Sequence, residues 1–347
     1  MNNNTPQHHN PMQLHITHEL PPGLLEATRE TLHTVLAGPT LIHLPGKRPE
    51  PLFVSALLHG NEEVGLLAAQ RLLRKYQGRQ LPRALSIFIG NVAAARSGQR
   101  LLDGQPDYNR IWPGSELPPT PEHAVMAEVV TQMRARRVFA SIDLHNNTGL
   151  NPHYACVNRI DHRFLQLASL FSRTLVYFQR PRGVQSMAFA ELCPAVTCEC
   201  GKVGDESGVN HALEYLETCL HLADIPDHPV HGSDVHVFHT VATIKVPAHI
   251  EFSFVDDQAP LYFAEGLEHC NFRELPADTL LAWRRPDSGA YLEVRDEAGR
   301  EAGEAFLDYG DRDIRLRRSF MPAMLTRDEQ VIRQDCLCYL MERYPLP

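Results

Sequence analysis

The chain contains 347 residues, of which 43% are hydrophobic, and its formal net charge at pH 7 is −9. This size allows two domains, or one large α/β domain with an appendage. The acidic balance provides no basic surface for nucleic acid, and no apolar run approaches the about 20 residues needed to span a bilayer. We therefore predict a globular protein that binds neither nucleic acid nor membrane.

The N-terminal segment and the cysteines bear on location. Residues 1–12 are rich in Asn, His and Pro and lack the basic start and apolar stretch of a signal peptide. The pairs Cys198-x-Cys200 and Cys336-x-Cys338 do not have the two-residue gap of zinc ribbons or thioredoxin-like motifs. We interpret these cysteines as small core residues and predict a cytoplasmic protein.

Short apolar runs alternate with helical periodicity between residues 39 and 225. The predicted strands are 40–44, 51–58, 84–89, 138–144, 154–157, 174–178 and 195–200, with a turn at 45–49. The predicted helices are 64–76, 121–136, 161–172 and 205–222, and 92–119 is a long, functional-looking loop. This alternation favours an α/β fold with a mostly parallel sheet covered by helices on both faces.

The pattern changes near residue 226. Short alternating runs at 237–244, 249–255 and 291–294 predict a smaller, β-rich C-terminal domain, and residues 328–342 have the pattern of a closing helix. The predicted organisation is an N-terminal arm and lead-in (1–38), an α/β domain (39–225) and this C-terminal domain (226–347). We expect the last to shield one side of the cleft.

Two buried strands each deliver a histidine at the carboxyl end, where open α/β sheets bind ligands. His59 ends the first, Glu62 falls in the predicted first turn of the next helix, and His145 ends the second. Two histidines and one carboxylate leave a fourth zinc position open, as in catalytic zinc sites. Asp143, two residues before His145, is placed to orient a ligand histidine.

Each of these signals has a simpler alternative. A lone His-x-x-Glu is weak evidence, and the chain has a second one, His211 with Glu214, inside a predicted surface helix. His145 taken alone is equally compatible with a hydrogen-bonded core histidine. The three residues in equivalent places favour a metal site because they would meet at one edge of the sheet.

Further polar residues fit hydrolysis. Glu199 lies inside an apolar strand, where a carboxylate is costly to bury without a role, and it is a candidate general base. Asn109 and Arg110, adjacent in the long loop, can clamp a carboxylate, although such a dipeptide is often only part of the surface. Arg100 is placed to neutralise a developing oxyanion.

The ordered set His59-x-x-Glu62, Asn109-Arg110, Asp143-Leu144-His145 and Glu199 resembles the zinc carboxypeptidase superfamily (M14-like). The likeness is closer to its succinylglutamate desuccinylase/aspartoacylase branch. The matching boxes are Leu58-His59-Gly60-Asn61-Glu62-Glu63, Gly90-Asn91, Gln99-Arg100-Leu101-Leu102-Asp103 and Cys198-Glu199-Cys200-Gly201-Lys202. Two departures are Tyr108, where the family usually has Leu, and Val92, where it has Pro.

The resemblance implies a carboxypeptidase-like fold and one zinc ion per chain, held by His59, Glu62 and His145. It implies that Arg100 polarises the scissile carbonyl, and that Asn109 with Arg110 holds a substrate carboxylate. We predict a zinc amidohydrolase that acts on a small anionic substrate, an N-acyl amino acid. The alternatives are a metallocarboxypeptidase that acts on peptides and a non-catalytic binding protein on the same fold.

Overall fold

A computed structural model describes residues 12–346, so the first 11 residues of the predicted N-terminal arm lie outside the described part. In chain order the first strands are β1 (His15–Thr17), β2 (Thr40–Leu44), β3 (Gly46–Ala56), β4 (Leu81–Ile89), β5 (Ala140–Asn147), β6 (Tyr154–Val157), β7 (Thr174–Tyr177), β8 (Ala195–Lys202) and β9 (His236–Lys245). The later strands are β10 (Phe252–Ser253), β11 (Leu261–Phe263), β12 (Leu280–Arg284), β13 (Glu293–Asp296), β14 (Leu307–Tyr309), β15 (Asp313–Leu316), β16 (Met321–Ala323) and β17 (Cys338–Arg343).

The helices surround these strands. They are α1 (Val64–Lys75), α2 (Val92–Arg96), α3 (Pro121–Ala135), α4 (His162–Ser169), α5 (Gln185–Phe189), α6 (Glu206–His221), α7 (Gly303–Phe306) and α8 (Glu329–Gln334). Short 3-10 helices cover Leu32–Thr34, Leu267–Cys270 and Pro286–Ser288. Among residues 12–346, every helix is too short or too polar to cross a lipid bilayer.

The strands form two sheets. The large sheet has the order β1-β2-β4-β3-β5-β8-β6-β7-β9-β17-β16, with β13 added beside β9, and the small one has the order β10-β11-β12-β15-β14. Within the large sheet β3, β5 and β8 are parallel neighbours, so their carboxyl ends meet at one edge. The predicted fold class, an α/β fold with a mostly parallel sheet, flanking helices and a smaller β-rich C-terminal part, is confirmed.

Local sequence explains the helices beside this sheet. The apolar residues of α1 recur at helical spacing and are buried, for example Val64, Ala68 and Leu72. Helix α3 begins with Pro121 after Thr120, whose hydroxyl takes part in a capping box. These features place two helices on the sheet at the positions that their sequence patterns predict.

The structure corrects several sequence-based predictions, and one of them is the loop at 92–119, which begins with the short helix α2. The predicted turn at 45–49 is the start of β3, because Gly46 lets the strand approach β4 closely; a Cβ there would lie 2.1 Å from the carbonyl carbon of Arg83. The predicted closing helix at 328–342 is only the short α8, followed by β17, which pairs with β9 and β16. Residues 336–341 form an almost continuous buried apolar run, which fits a strand inside a sheet as well as a buried helix, and pairing with β9 makes it a strand.

The proposed domain boundary between residues 225 and 226 remains a proposal. Four strands that follow it, β9, β13, β16 and β17, belong to the large sheet. The small sheet lies entirely after this boundary, and so does a second apolar core, which it shares with β9, β13 and β17.

His43 makes the stability of this sheet sensitive to acid. It lies directly opposite Ser86 on β4, and its Nδ1 is 2.8 Å from the hydroxyl oxygen. Burial, and then the charge of Arg136, lower the pKa of His43 from 6.5 to about 4. Below pH 6.5 the unfolded chain therefore binds a proton that the folded protein does not bind, and the free energy of unfolding falls as the pH falls toward 4.

We expect wild type to lose roughly 2 kcal/mol more unfolding free energy than His43→Phe between pH 7.5 and pH 5. The phenylalanine ring keeps the shape but cannot be protonated. Urea unfolding of both proteins at the two pH values measures this difference. Equal losses in the two proteins would contradict the assignment of the acid sensitivity to His43.

Candidate active site

The candidate site lies at the edge where β3, β5 and β8 end. His59 follows β3, while His145 is near the end of β5 and Glu199 near the end of β8. His145 and Glu199 are registered partners on neighbouring parallel strands, so their side chains lie on the same face of the sheet. Strand pairing thus brings His145 and Glu199 to one place, and the end of the neighbouring strand β3 lies beside them.

A tight turn directs His59 into this edge. Leu57 has a φ of 53°, a left-handed conformation that is uncommon for leucine, just before the histidine. Gly60 then passes very close to α2, and a Cβ at that position would lie 2.3 Å from the carbonyl carbon of Ala94. The amide of Gly60 also donates to the carbonyl oxygen of Arg100 at 3.0 Å. Glycine is therefore required here by close backbone approach.

The prediction that Glu62 lies in the first turn of the helix is wrong. Glu62 lies two residues before Val64, the first residue of α1. The start of the helix is held by Asn146, whose Oδ1 accepts from the amide of Val64 at 3.1 Å. The Nδ2 of Asn146 donates to the carbonyl oxygen of Gly201 at 3.1 Å. Asn146 thus joins the ends of β5 and β8 to the segment that carries Glu62.

His59, Glu62 and His145 come together in a buried cluster, with one possible ligand atom from each within 4.8 Å of the others. The Nδ1 of His59 is 2.8 Å from Oε1 of Glu62, and the Nδ1 of His145 is 2.7 Å from Oε2. Burial raises the pKa of the Glu62 carboxyl, but the two histidines lower it more, and the net shift is downward. Glu62 is thus ionised, as a metal ligand must be.

The outer nitrogen of each histidine faces a further carboxylate. His59 Nε2 is 3.0 Å from Oδ1 of Asp107, and His145 Nε2 is 2.8 Å from Oδ2 of Asp143. Asp143 is itself fixed by the hydroxyl of Ser55, which donates to its Oδ1 at 2.6 Å. This arrangement orients both rings with Nδ1 toward the centre of the cluster, as in carboxylate–histidine–zinc sites.

Asp107 gives a direct test of this arrangement. We expect Asp107→Asn to lower zinc affinity by about 10- to 100-fold, because the neutral amide holds the His59 ring less firmly and makes it less basic. Competition with a chromophoric chelator measures the affinity. Asp103→Asn, an exposed change in the same loop, is the control and should leave affinity unchanged. An unaltered affinity in Asp107→Asn would remove Asp107 from the site.

Glu199 is buried beside this cluster and keeps one oxygen unused. Its Oε2 has no hydrogen-bond partner among residues 12–346. Burial, with a smaller contribution from the charge of Glu62, raises the pKa of Glu199 to about 7 against the opposing effect of His145. A carboxyl group with a pKa near neutrality can both accept and donate a proton during a reaction.

The structure places the loop residues at the same site but gives them internal partners. Arg100 Nη2 is 3.0 Å from Oδ2 of Asp107, and its Nη1 is 3.5 Å from Oε1 of Glu62. Asn109 accepts from the amide of Gln185 at 2.8 Å through Oδ1, and its Nδ2 donates to Oδ2 of Asp143 at 3.4 Å. Both the oxygen and the nitrogen of the Asn109 side-chain amide are therefore hydrogen-bonded within the protein.

Comparison with known sequences decides the family. Residues 49–224, just over half of the chain, match the sequence profile described as the succinylglutamate desuccinylase/aspartoacylase catalytic domain. The chain belongs to this family. The match covers His59, Glu62, Arg100, Asn109, Arg110, His145 and Glu199. No curated protein sequence matches the chain.

Solved structures of the succinylglutamate desuccinylase/aspartoacylase family and its relatives share the fold. The succinylglutamate desuccinylase from Chromobacterium violaceum has 18% identity and a TM-score of 0.56, with 86% of each chain covered. Murine aminoacylase 3 has 13% identity and a TM-score of 0.51, with 86% of this chain and 95% of that chain covered. At such identities the likeness shows the fold, and the activity of this chain is argued from its own residues.

A cleft with an empty volume of about 730 Å³ opens beside the cluster. It is lined by all seven predicted site residues and, on the far side, by residues of the C-terminal part such as Asp335, Tyr339 and Met341. Sequence reasoning missed Asp107 and Asp335 as site residues. Asp107 lies two residues before Asn109 in the same loop, so its position in the sequence could have indicated it. Asp335 is 225 positions from Arg110, and no sequence pattern indicated that the two residues meet.

Proposed function

We propose that this chain is a zinc-dependent hydrolase, with one zinc ion per chain, that cleaves the amide bond of an N-acyl amino acid or a similar small carboxylate-bearing compound. Membership of the family supports the deacylase class. The single observation that carries the proposal is the buried His59–Glu62–His145 cluster beside Glu199, a carboxyl group with one oxygen that bonds to no other described residue.

The donor set fits a zinc ion. Two imidazole nitrogens and one ionised carboxylate are the ligands of catalytic zinc sites, and they leave a fourth position for water or substrate. His59, Glu62 and His145 would hold the ion. When bound, zinc lowers the pKa of water and withdraws electrons from a carbonyl oxygen.

The other residues have roles that follow from their chemistry. Glu199 takes a proton from the attacking water and then delivers it to the departing amide nitrogen. Arg100 stabilises negative charge on the carbonyl oxygen. Its guanidinium is near the proposed metal position, because Nη1 lies 3.5 Å from Oε1 of the proposed ligand Glu62. Asn109 and Arg110 line the cleft, and the resemblance assigns them to a substrate carboxylate, although Arg110 is paired with Asp335 in the structure.

Metal content and a substrate panel test this proposal. The purified protein is analysed for zinc and then assayed against N-acyl amino acids that vary in acyl group, and against short peptides. We expect about one zinc per chain and turnover of at least one N-acyl amino acid. Turnover of peptides alone would instead support a carboxypeptidase. Failure to take up zinc, with no turnover after its addition, would leave a binding protein.

A further inference from the structure

Each arginine of the cleft has an acidic partner within the protein itself. Among the described residues, the cleft is lined by three arginines and no lysine. Arg100 faces Asp107, and Arg180 faces Glu116, with Nη1 of Arg180 2.7 Å from Oε2 of Glu116. Each of these cations therefore has an internal anion as its nearest partner.

Arg110, the predicted carboxylate-binding residue, is the most informative of the three. Its Nη2 lies 2.9 Å from Oδ1 of Asp335, and its Nη1 donates to the carbonyl oxygen of Asn109 at 2.8 Å. The other oxygen of Asp335 is 3.6 Å from Nη2 of Arg100. The Asp335 carboxylate thus lies between two arginines, in the kind of position that a substrate carboxylate would take.

Asp335 is held there by the surrounding fold. It follows α8 directly, and the next residues, Cys336 and Leu337, are buried before β17 joins the large sheet. Helix α8 is fixed from its other side by Arg333, which donates to the carbonyl oxygens of Pro247 and Ile250. The side chains of Asp335 and Arg110 are 15% and 18% exposed, so solvent screens their interaction only partly.

We propose that Asp335 is a specificity-determining residue that competes with the substrate carboxylate for Arg110. A free carboxylate entering the cleft must displace Asp335 or bind near it, and two carboxylates of like charge at one site repel each other. A free carboxylate on the substrate therefore adds little binding free energy in the wild-type site. N-acyl amino acids and the corresponding carboxamides, whose carboxyl group is neutral, are accepted about equally well. This inference rests on the proposed amide hydrolysis and concerns the amino-acid half of the substrate.

The test compares N-acetylmethionine with N-acetylmethioninamide, which differ only in the carboxyl charge. For wild type we expect the two values of kcat/KM to agree within about threefold. Asp335→Asn keeps the shape of the side chain but removes the charge, and it should shift the ratio toward the free acid by about tenfold or more, as expected for a charged hydrogen bond gained. Glu329→Gln, an exposed change of equal charge in α8, should leave the ratio unchanged.

A binding measurement separates this inference from the proposed function. In a Glu199→Gln background, calorimetric titration with the same two compounds reports affinity without turnover. Tighter binding of N-acetylmethionine after the Asp335→Asn change supports the competition even if acetyl is not the preferred acyl group. Absence of turnover for every acyl compound, with this shift present, would overturn only the hydrolase proposal.

Two results would overturn the role of Asp335. One is an unchanged preference between the two compounds in Asp335→Asn. The other is an equal loss of affinity for both compounds, which would mean that Asp335 only positions Arg110. Circular dichroism and thermal unfolding establish that the variant is folded, and Asp335→Ser provides a second variant with the same change of charge. If Asp335→Asn and Asp335→Ser do not both shift the preference toward the free acid, the proposed role of Asp335 is wrong.

Discussion

Replacement of Glu199 by glutamine is expected to lower kcat by about 10²- to 10⁴-fold while zinc remains bound. The amide has nearly the same shape as the carboxyl group, but it cannot accept a proton from water or return one to the leaving nitrogen. Glu199 has the geometry for this role because it is registered beside His145 and its Oε2 has no hydrogen-bond partner in the described part of the chain. The measurement is steady-state kinetics on the best substrate of the panel, with zinc content determined on the same preparation.

Glu191→Gln supplies the control for this experiment. Glu191 is an exposed glutamate shortly before β8 that pairs with Arg159, so its replacement tests the same chemical change outside the cleft. We expect unchanged turnover in this variant. Full activity in Glu199→Gln would exclude Glu199 as the base, and loss of zinc in that variant would assign it to the metal site instead.

Glu62→Gln is expected to remove most of the zinc, and the activity with it. Glu62 is the residue that faces both His59 and His145. Zinc binding in protein sites is worth about 10–16 kcal/mol, so the loss of one of three protein ligands costs on the order of 3–5 kcal/mol, or about 10²- to 10⁴-fold in affinity. Chelator competition and metal analysis after dialysis measure the loss.

The chain contains its own matched control for Glu62. Glu214 is the acidic residue of the second His-x-x-Glu, and it is exposed on α6, where Nε2 of His211 donates to the backbone carbonyl oxygen of Phe171. Glu214→Gln makes the same chemical change in the same motif and should leave zinc content and activity intact. Zinc retention in Glu62→Gln at the wild-type level would show that the cluster is not the metal site.

The sequence carried enough information to predict the centre of the α/β core because its central strands β4, β5 and β8 and the second half of β3 are buried apolar runs. The runs that end at His59 and His145 are of this kind, and parallel strands deliver such residues to one edge. The C-terminal part was harder to predict. Residues 328–342 contain apolar residues at spacings that fit both a helix and a strand, and pairing with β9, almost 100 residues earlier in the chain, decides for β17.

The same distinction applies to the candidate site. Residues that lie near one another in the sequence or at strand ends were predictable, as with His59 and Glu62. The partners that modify them were not, because Asp335 reaches Arg110 only through the packing of α8 and β17. The sequence alone therefore suggested a free carboxylate-binding arginine, and the structure places that arginine in an ion pair.

Continuity of the large sheet has a practical consequence for work with this chain. The segment that matches the family profile ends at residue 224, before β9, yet β9 is the hydrogen-bonding neighbour of β7. A fragment cut at that point would present the unpaired backbone of β7 to solvent, and bare strand edges promote aggregation. It would also lose the wall of the cleft that carries Asp335 and Tyr339. The segment that defines the family is thus not a suitable unit for recombinant expression by itself.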